Sequence, residues 1–419
     1  MTHEPHRMRT LWLCTALHAF THLYQVALIP LYLLIRRDFQ LHSDGEATFL
    51  VTAMGVAYFL PSYPVGMLAD RVSRKKLLGW GLAINALGFI GLSFAPNYAV
   101  AIACIMLAGF GGSFFHPSAT SLVARLFPEA TGKALGRVGL GASFGFFLAP
   151  FYAGWRAESA GWRQPVLELG LLGLAGAIAF ALLAHEHSST KETASHPRPP
   201  EKMFASPALW FFFILGAVLF SLRDFAGSGM VSLSSLFLLR AHHFSSKETG
   251  LALSCIFLAS AISNPLFGHL SDRGRIRWAI FVLLAASLVI FLFPRVPPAG
   301  TVVAFAVYGF FFMASYPMVE AGLMESVHDS VRGRVFGFFI TIGGFVGNLA
   351  HWFVGNRVKN LGDGAGLPGN YFNTYNLLAL FVTLSIGGLA CLHAIRRREN
   401  EVAPLTASGP AAPQLNPEV

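Results

Sequence analysis

The sequence predicts an all-α membrane protein, with twelve transmembrane helices in two pseudo-symmetric six-helix bundles, and three observations carry that reading. Of 419 residues, 54% are hydrophobic and only 12% charged, whereas about a quarter of the residues in a soluble domain are charged. The apolar residues gather into runs close to the ~20 positions that a helix needs to cross a bilayer core. A charged hairpin also appears once per half, as GMLADRVSRKKLL at 66–78 and GHLSDRGRIRW at 268–278, with Gly66 and Gly268 separated by 202 positions.

The predicted spans are 11–35, 47–68, 77–95, 99–124, 134–155, 165–184, 208–239, 248–268, 277–294, 300–324, 332–355 and 371–394. The first follows a short basic segment but carries His18, His22 and Gln25 and lacks a small-residue cleavage site, so it reads as a retained span and not a signal peptide. The seventh is too long for one straight crossing, and Gly227 and Gly229 predict a bend within it. Residues 185–206 form a polar, proline-containing linker between a half at 1–184 and a half at 207–395, and the Ala- and Pro-rich stretch 396–419 is expected to be a disordered tail. The repeat extends beyond the hairpins: Gly109-Phe110 through His116-Pro117 aligns with Gly309-Phe310 through Tyr316-Pro317 at an offset of 200, and Gly132-Lys133 with Gly333-Arg334 at 201.

Charge sets the expected orientation. With both termini cytoplasmic, the inner ends and loops hold twenty Lys and Arg and the outer side nine, with Arg223 inside a span; the excess belongs on the cytoplasmic side. The formal net charge of +9 is therefore topological, and no basic patch stands apart from an apolar run to bind nucleic acid. Cys14, Cys104, Cys255 and Cys391 lie in apolar runs without a patterned spacing and read as small buried hydrophobes.

Ionisable residues within a span are costly and point to function. In the first span, His18 and His22 are four residues apart and share a helical face, with Tyr24 and Gln25 close by. The pair suits proton or substrate handling or an interhelical hydrogen bond. A metal site is the weaker reading, because residues 19–21 hold no acid and no third ligand is near in sequence. In the fourth span, Pro117 predicts a kink that sets His116 where a bend meets the cavity. Its repeat partner, Tyr316-Pro317, is followed by Glu320, either a proton carrier or a satisfied structural carboxyl. Arg223-Asp224 lies at the predicted bend; aligned through Phe39 and Phe244, Arg223 falls opposite His18. Arg223 would suit an anionic substrate if it faces the cavity, or forms an internal ion pair. Asn348 and His351 share a face of the eleventh span and are weaker cavity candidates. In the fifth span, Gly141, Gly145, Pro150 and Gly154 make a small-residue packing face.

The two hairpins resemble the cytoplasmic loop motif of the major facilitator superfamily, over residues from about 10 to 395. That resemblance implies two bundles rocking about a central cavity. It also implies a gate, built from Gly66, Asp70, Arg71, Arg74, Gly268, Asp272 and Arg273, that latches the cytoplasmic face in the outward-open state. The strings HAFTHLYQVALIPLYL, GGSFFHPSAT and GMLADRVSRKKLLGWG are similar to the fosmidomycin-resistance-like branch, which implies proton-driven efflux of small antibiotics or polar metabolites. This chain departs from the family pattern at His22, where an acid is usual, and at Ile105, where drug/proton antiporters carry arginine. The fifth span resembles the Gly/Pro-rich motif of exporters, with altered spacing before Pro150.

These readings converge on a multi-pass transporter of the cytoplasmic membrane, expected to be monomeric and to need no cofactor. It would export a small polar or anionic compound against protons; uptake of a metabolite is the alternative. The chain holds no HExxH, GxSxG or phosphate-binding GKS/T string, so neither an intramembrane enzyme nor an ATP-driven pump is expected. The charged hairpins in both halves speak against a receptor that has lost transport.

Overall fold

The computed structural model describes residues 4–69, 71–186, 203–204, 206–271, 273–327 and 331–406, with residue 4 and 399–406 as backbone only. It contains twelve helical spans: Pro5–Asp38, Asp44–Ala69, Arg74–Ser93, Tyr98–Leu126, Pro128–Ala160, Arg163–Leu183, Pro207–Ala241, Ser246–Ser271, Arg275–Arg295, Pro298–Glu325, Arg332–Lys359 and Pro368–Arg398. They are named below by their order along the chain. Every predicted run has its helix. Exposed Phe144, Leu182, Phe211 and Val303 belong to the apolar outer surface that lipid requires.

Helix boundaries follow local chemistry. The second span opens on a capping box in which Ser43 and Glu46 satisfy each other's backbone N–H groups. Proline interrupts some spans. The first span passes through a 3-10 turn at Ile29–Leu31, which contains Pro30. The second breaks between Phe59 and Ser62, at Pro61. The fourth breaks between Gly112 and Phe115, where the Pro117 ring crowds the carbonyl four residues back. Its repeat counterpart, Pro317, sits inside an unbroken helix, Thr301–Glu325. The seventh span, where a bend was expected at Gly227 and Gly229, is one continuous 35-residue helix. Gly227 faces the Phe312 ring and Gly229 faces Leu378; they make room for neighbouring side chains instead of breaking the helix.

Two other expectations need correction. The last helix continues through Thr406, so the expected disordered tail does not begin at 396; residues 407–419 lie outside the described residues. Within the linker, Phe204 is 3% exposed in the core of the C-terminal half. Glu186 accepts from the backbone N–H groups of Arg74 and Lys75, a favourable place for an anion at a helix N-terminus. Residues 187–202 and 205 of the linker fall outside the described residues.

The halves meet on the face opposite the chain termini. There, Cβ atoms added to Gly154 or Gly250 would lie 2.2 or 2.1 Å from the carbonyl oxygens of Ser246 and Pro150, so only glycine allows the fifth and eighth spans to approach this closely. Gly45 and Gly355 play the same part between the second and eleventh spans. Towards the terminal face, a Cβ on Gly132, Gly136 or Gly139 of the fifth span, or on Gly333 or Gly337 of the eleventh, meets nothing within 4 Å. The small-residue face of the fifth span thus serves different partners along its length: Gly141 and Gly145 lie against the backbone of Thr15 and Ala19 in the first span, and Gly154 against the eighth.

This contrast predicts unequal costs for one chemical change. Gly145→Val, which would drive Cβ to 2.1 Å from the Ala19 carbonyl oxygen, should destabilise by roughly 1–3 kcal/mol or more and lower the melting temperature in detergent. Gly139→Val should leave it unchanged or raise it. Equal melting temperatures would contradict the packing described.

Candidate functional site

Mid-span polar residues collect into two groups, one in each half. In the N-terminal half, the first and fourth spans bring His18, His22 and His116 together, with their ligand nitrogens all within 4.8 Å of one another. His18 is 9% exposed, and His22 and His116 are partly buried. Phe115 stacks on His18 at 4.6 Å and Phe146 lies 4.4 Å from His22. The break in the fourth span turns the Phe115-His116-Pro117 segment towards the first span and supplies the third imidazole, which spacing along the sequence did not reveal.

The hydrogen bonds constrain where protons reside. His18 Nδ1–H donates to the Val138 carbonyl at 2.9 Å, so in a neutral ring its Nε2 is an acceptor. That Nε2 faces His22 Nε2 at 3.0 Å, which makes His22 the donor. The other ring nitrogen of His22 faces Gln25 Oε1 at 3.0 Å, also an acceptor. As oriented, the three contacts are satisfied together when the His22 ring carries both protons. The same contacts are met if His18 carries the second proton and His22 is the neutral Nδ1–H form; with both rings neutral, the Gln25 amide must turn so that its NH2 group donates to His22 Nδ1. In the orientation seen, Gln25 Nε2 is buried without a partner. The two facing Nε2 atoms can therefore share one exchangeable proton.

In the C-terminal half, Arg223 is 1% exposed and donates to Asp224 Oδ1 through Nε at 3.0 Å and Nη2 at 2.8 Å. Its guanidinium lies 4.0 Å from the Tyr316 ring centroid, a cation–π contact that helps to hold a charge away from water. Glu320 is within electrostatic reach of both charges. Gly343 and Gly347 of the eleventh span leave the space that Asp224 occupies. Arg223 Nη1 remains buried and unpartnered. Of the two readings of Arg223, the geometry favours the ion pair, and the group of one cation and two acids is not a positive site.

Other sequence candidates sit elsewhere. Tyr24 donates to the Leu169 carbonyl at 3.0 Å and packs against Gly173 and Phe89, tying the first span to the sixth. Asn348 and His351 belong to the contact between halves. Thr52 donates to the Asn348 carbonyl at 2.8 Å and accepts from Trp352 N–H at 3.0 Å, while His351 Nδ1, Ser232 Oγ and Tyr32 Oη form a chain with links of 2.6 and 2.7 Å. Ser235 completes the seam by donating to the Ile29 carbonyl at 2.7 Å. At its rim, Asp44, 3% exposed, accepts from Arg36 at 3.0 Å and across the halves from Arg240 at 2.7 Å. All hydrogen bonds between described residues of the two halves lie on this side. Sequence reasoning missed Asp44, Arg36 and Arg240 because each stands near a span end, where charges are commonplace; an acid at the buried start of a helix was the available signal.

Of the gate candidates, Asp70 and Asp272 lie outside the described residues. Arg74 is 7% exposed and donates to Ser121, an anchorage within the N-terminal half. A Cβ added to Gly66 would lie 3.7 Å from Pro117, whereas one added to Gly268 would meet nothing within 4 Å. Arg71 and Arg273 lie in backbone turns, their N–H groups donating to the Leu68 and Leu270 carbonyls.

Comparisons with known proteins agree with this architecture. The Major Facilitator Superfamily profile matches residues 11–351. The multi-drug resistance efflux pump PmrA of Streptococcus pneumoniae serotype 4 is 30% identical over 318 residues, covering 72% of this chain and 76% of the pump. The quinolone resistance protein NorA of Staphylococcus aureus (strain Mu50) is 22% identical over 337 residues, covering 77% and 83%. Among solved structures, a bacterial homolog of the human lysosomal transporter Spinster, inward-facing and unoccupied, superposes with a TM-score of 0.75 at 17% identity, covering 95% of this chain and 98% of that one. The nucleoside transporter NupG gives 0.70 at 13% identity, covering 92% and 99%. At such identities the superpositions establish the fold.

The seam predicts that Arg240→Ala loosens the closed face. A Ser235→Cys probe, buried at the contact, should label with a membrane-impermeant maleimide at least ~10-fold faster in the Arg240→Ala background, a bias of about 1.4 kcal/mol. Unchanged labelling would mean that the ion pair does not hold the halves together.

Proposed function

The chain belongs to the Major Facilitator Superfamily, and on that premise we propose that it exports a small polar compound, drug or metabolite, from the cytoplasm in exchange for protons. The observation that carries the proton half of this reading is the His18–His22 pair, whose hydrogen-bonding pattern accommodates one cation between facing Nε2 atoms. Histidine is the side chain whose ordinary titration lies nearest physiological pH. Glu320, near the Arg223–Asp224 pair in the other half, is a second place for a proton, and its protonation changes the charge of that group. Two titratable groups, one per bundle, give protons a means of biasing how the bundles rock about a midplane site.

The direction of transport is supported by the names of the relatives, an efflux pump and a quinolone resistance protein, though at low identity. Because Asp224 already engages Arg223, this pair does not favour an anionic cargo. Phe146 and Phe257, stacked across the halves at 4.7 Å beside His22, place an aromatic surface next to the histidines that suits compounds with an apolar face. With the Lys- and Arg-rich terminal face assigned to the cytoplasm, the sealed face is external and the conformation is inward-facing, with its site reachable by a cytoplasmic compound.

Everted membrane vesicles with an acid interior, reported by a quenched dye, test the proposal. Adding fosmidomycin, or a member of a panel of phosphonates, organic anions and drugs, should restore fluorescence only when this protein is present. His22→Ala and Glu320→Gln should each slow that recovery roughly tenfold or more, equivalent to about 1.4 kcal/mol. Absence of recovery with any compound, together with accumulation of labelled metabolite by whole cells, would replace export with uptake. Unchanged rates in both variants would remove these residues from the proton pathway.

A further inference from the structure

The histidines of the N-terminal half offer more than a proton site. We propose that His18, His22 and His116 form a binding site for a divalent transition-metal ion of the zinc class. Two of the three ligands are already arranged as metal-bound histidines usually are, with the far ring nitrogen anchored by an oxygen acceptor. His18 Nδ1 is held by the Val138 carbonyl at 2.9 Å and His22 Nδ1 by Gln25 Oε1 at 3.0 Å. With Nδ1 protonated on both rings, both Nε2 lone pairs point into the same gap of 3.0 Å. An arrangement that is unfavourable when empty is relieved by a cation, and a metal ion satisfies it with the Gln25 amide in the orientation seen.

His116 supplies the third direction. Its ring is edge-on to His18 at 5.2 Å and tilted to His22 at 5.6 Å, and it makes no hydrogen bond to another described residue. Zinc–nitrogen bonds of about 2.0–2.1 Å place tetrahedral ligands about 3.3 Å apart, so a small rotation of the His116 ring brings a nitrogen into range from the present 4.8 Å limit. Imidazole ligands select zinc, copper or nickel over magnesium and calcium. Three neutral ligands leave a fourth position for water or another donor. The buried Tyr58 hydroxyl, which lacks a partner and belongs to a ring 6.3 Å from His116, is an oxygen at the margin of the site. Among the described residues no carboxylate joins the cluster, so the bound ion keeps its charge in surroundings that favour release, giving exchangeable binding and not a permanent structural metal.

The ion would occupy the place of the shared proton. Inhibition of transport by zinc therefore rests on the proton-antiport reading above; binding itself does not. The chain, purified in detergent with a tag free of histidine, is titrated with Co2+ and followed by the visible d–d absorption of four-coordinate cobalt. Saturation at one ion per chain is expected, with Zn2+ displacing it. His22→Ala and His116→Ala should each weaken binding at least ~10-fold, and Gln25→Ala, which removes the anchor of His22, by about 10–100-fold. His42→Ala, at an exposed position, should bind as the parent does. If an alanine variant fails to fold, Zn2+ should raise the melting temperature of the parent protein but not that of His116→Gln. No cobalt absorption in the parent, or absorption that survives loss of all three histidines, would overturn the site. Binding that persists while vesicle transport fails would instead condemn the antiport reading and leave the site standing.

Discussion

Hydrocarbon offers no hydrogen bonds, so each polar group that this chain carries into a span must find its partner inside the protein. The backbone meets that demand by forming helices. The side chains meet it locally where they can: Thr15, Thr21 and Ser221 donate to carbonyls four residues back in their own helices. What remains is a short set of groups that no single helix can satisfy. Those groups mark where helices must touch, and the His18–His22 and Arg223–Asp224 pairs, where we propose that protons are handled, are among them.

The two halves answer the demand differently. In one, imidazoles bond to a carbonyl, an amide and each other, an arrangement of soft, exchangeable donors and acceptors. In the other, a guanidinium is locked to the carboxylate of its neighbour and covered by a tyrosine ring, a pairing whose removal on one side leaves an uncompensated buried charge. The repeat supplied matching helices, and divergence within them supplied unlike sites. The same divergence shows in the backbone: the proline after His116 accompanies a broken helix, while the proline after Tyr316 does not.

Glycine distributes the contacts between the bundles. Near the sealed face, glycines permit backbone approach between the fifth and eighth spans and between the second and eleventh, and the seam of Thr52, Ser232, Ser235, His351 and the Asp44–Arg240 pair closes around them. Towards the terminal face, glycines of the same two helices open onto free space. A contact built from small residues and a few hydrogen bonds can separate without stranding large apolar surfaces, as alternating access requires. This arrangement also explains why Asn348 and His351, which share a helical face, serve the seam and not the central groups: their depth along the span places them beside Thr52 and Ser232.

Twelve helices, two related halves and the surplus of cations near the ends of spans were legible in the amino-acid order alone. Hydrophobic run length, internal repetition and charge bias are properties of one dimension, imposed by bilayer thickness and insertion. Family membership followed from the paired hairpins for the same reason; the branch within the family still rests on three short strings. Partnerships were decided in three dimensions. That His116 joins His18 and His22, that Tyr24 leaves them for the sixth span, that Arg223 turns to Asp224, and that Asp44 finds Arg240 all depend on helix rotation and depth. A sequence does not encode these locally, because they are set by which small residues let two helices approach and by which buried polar groups must be satisfied once they have.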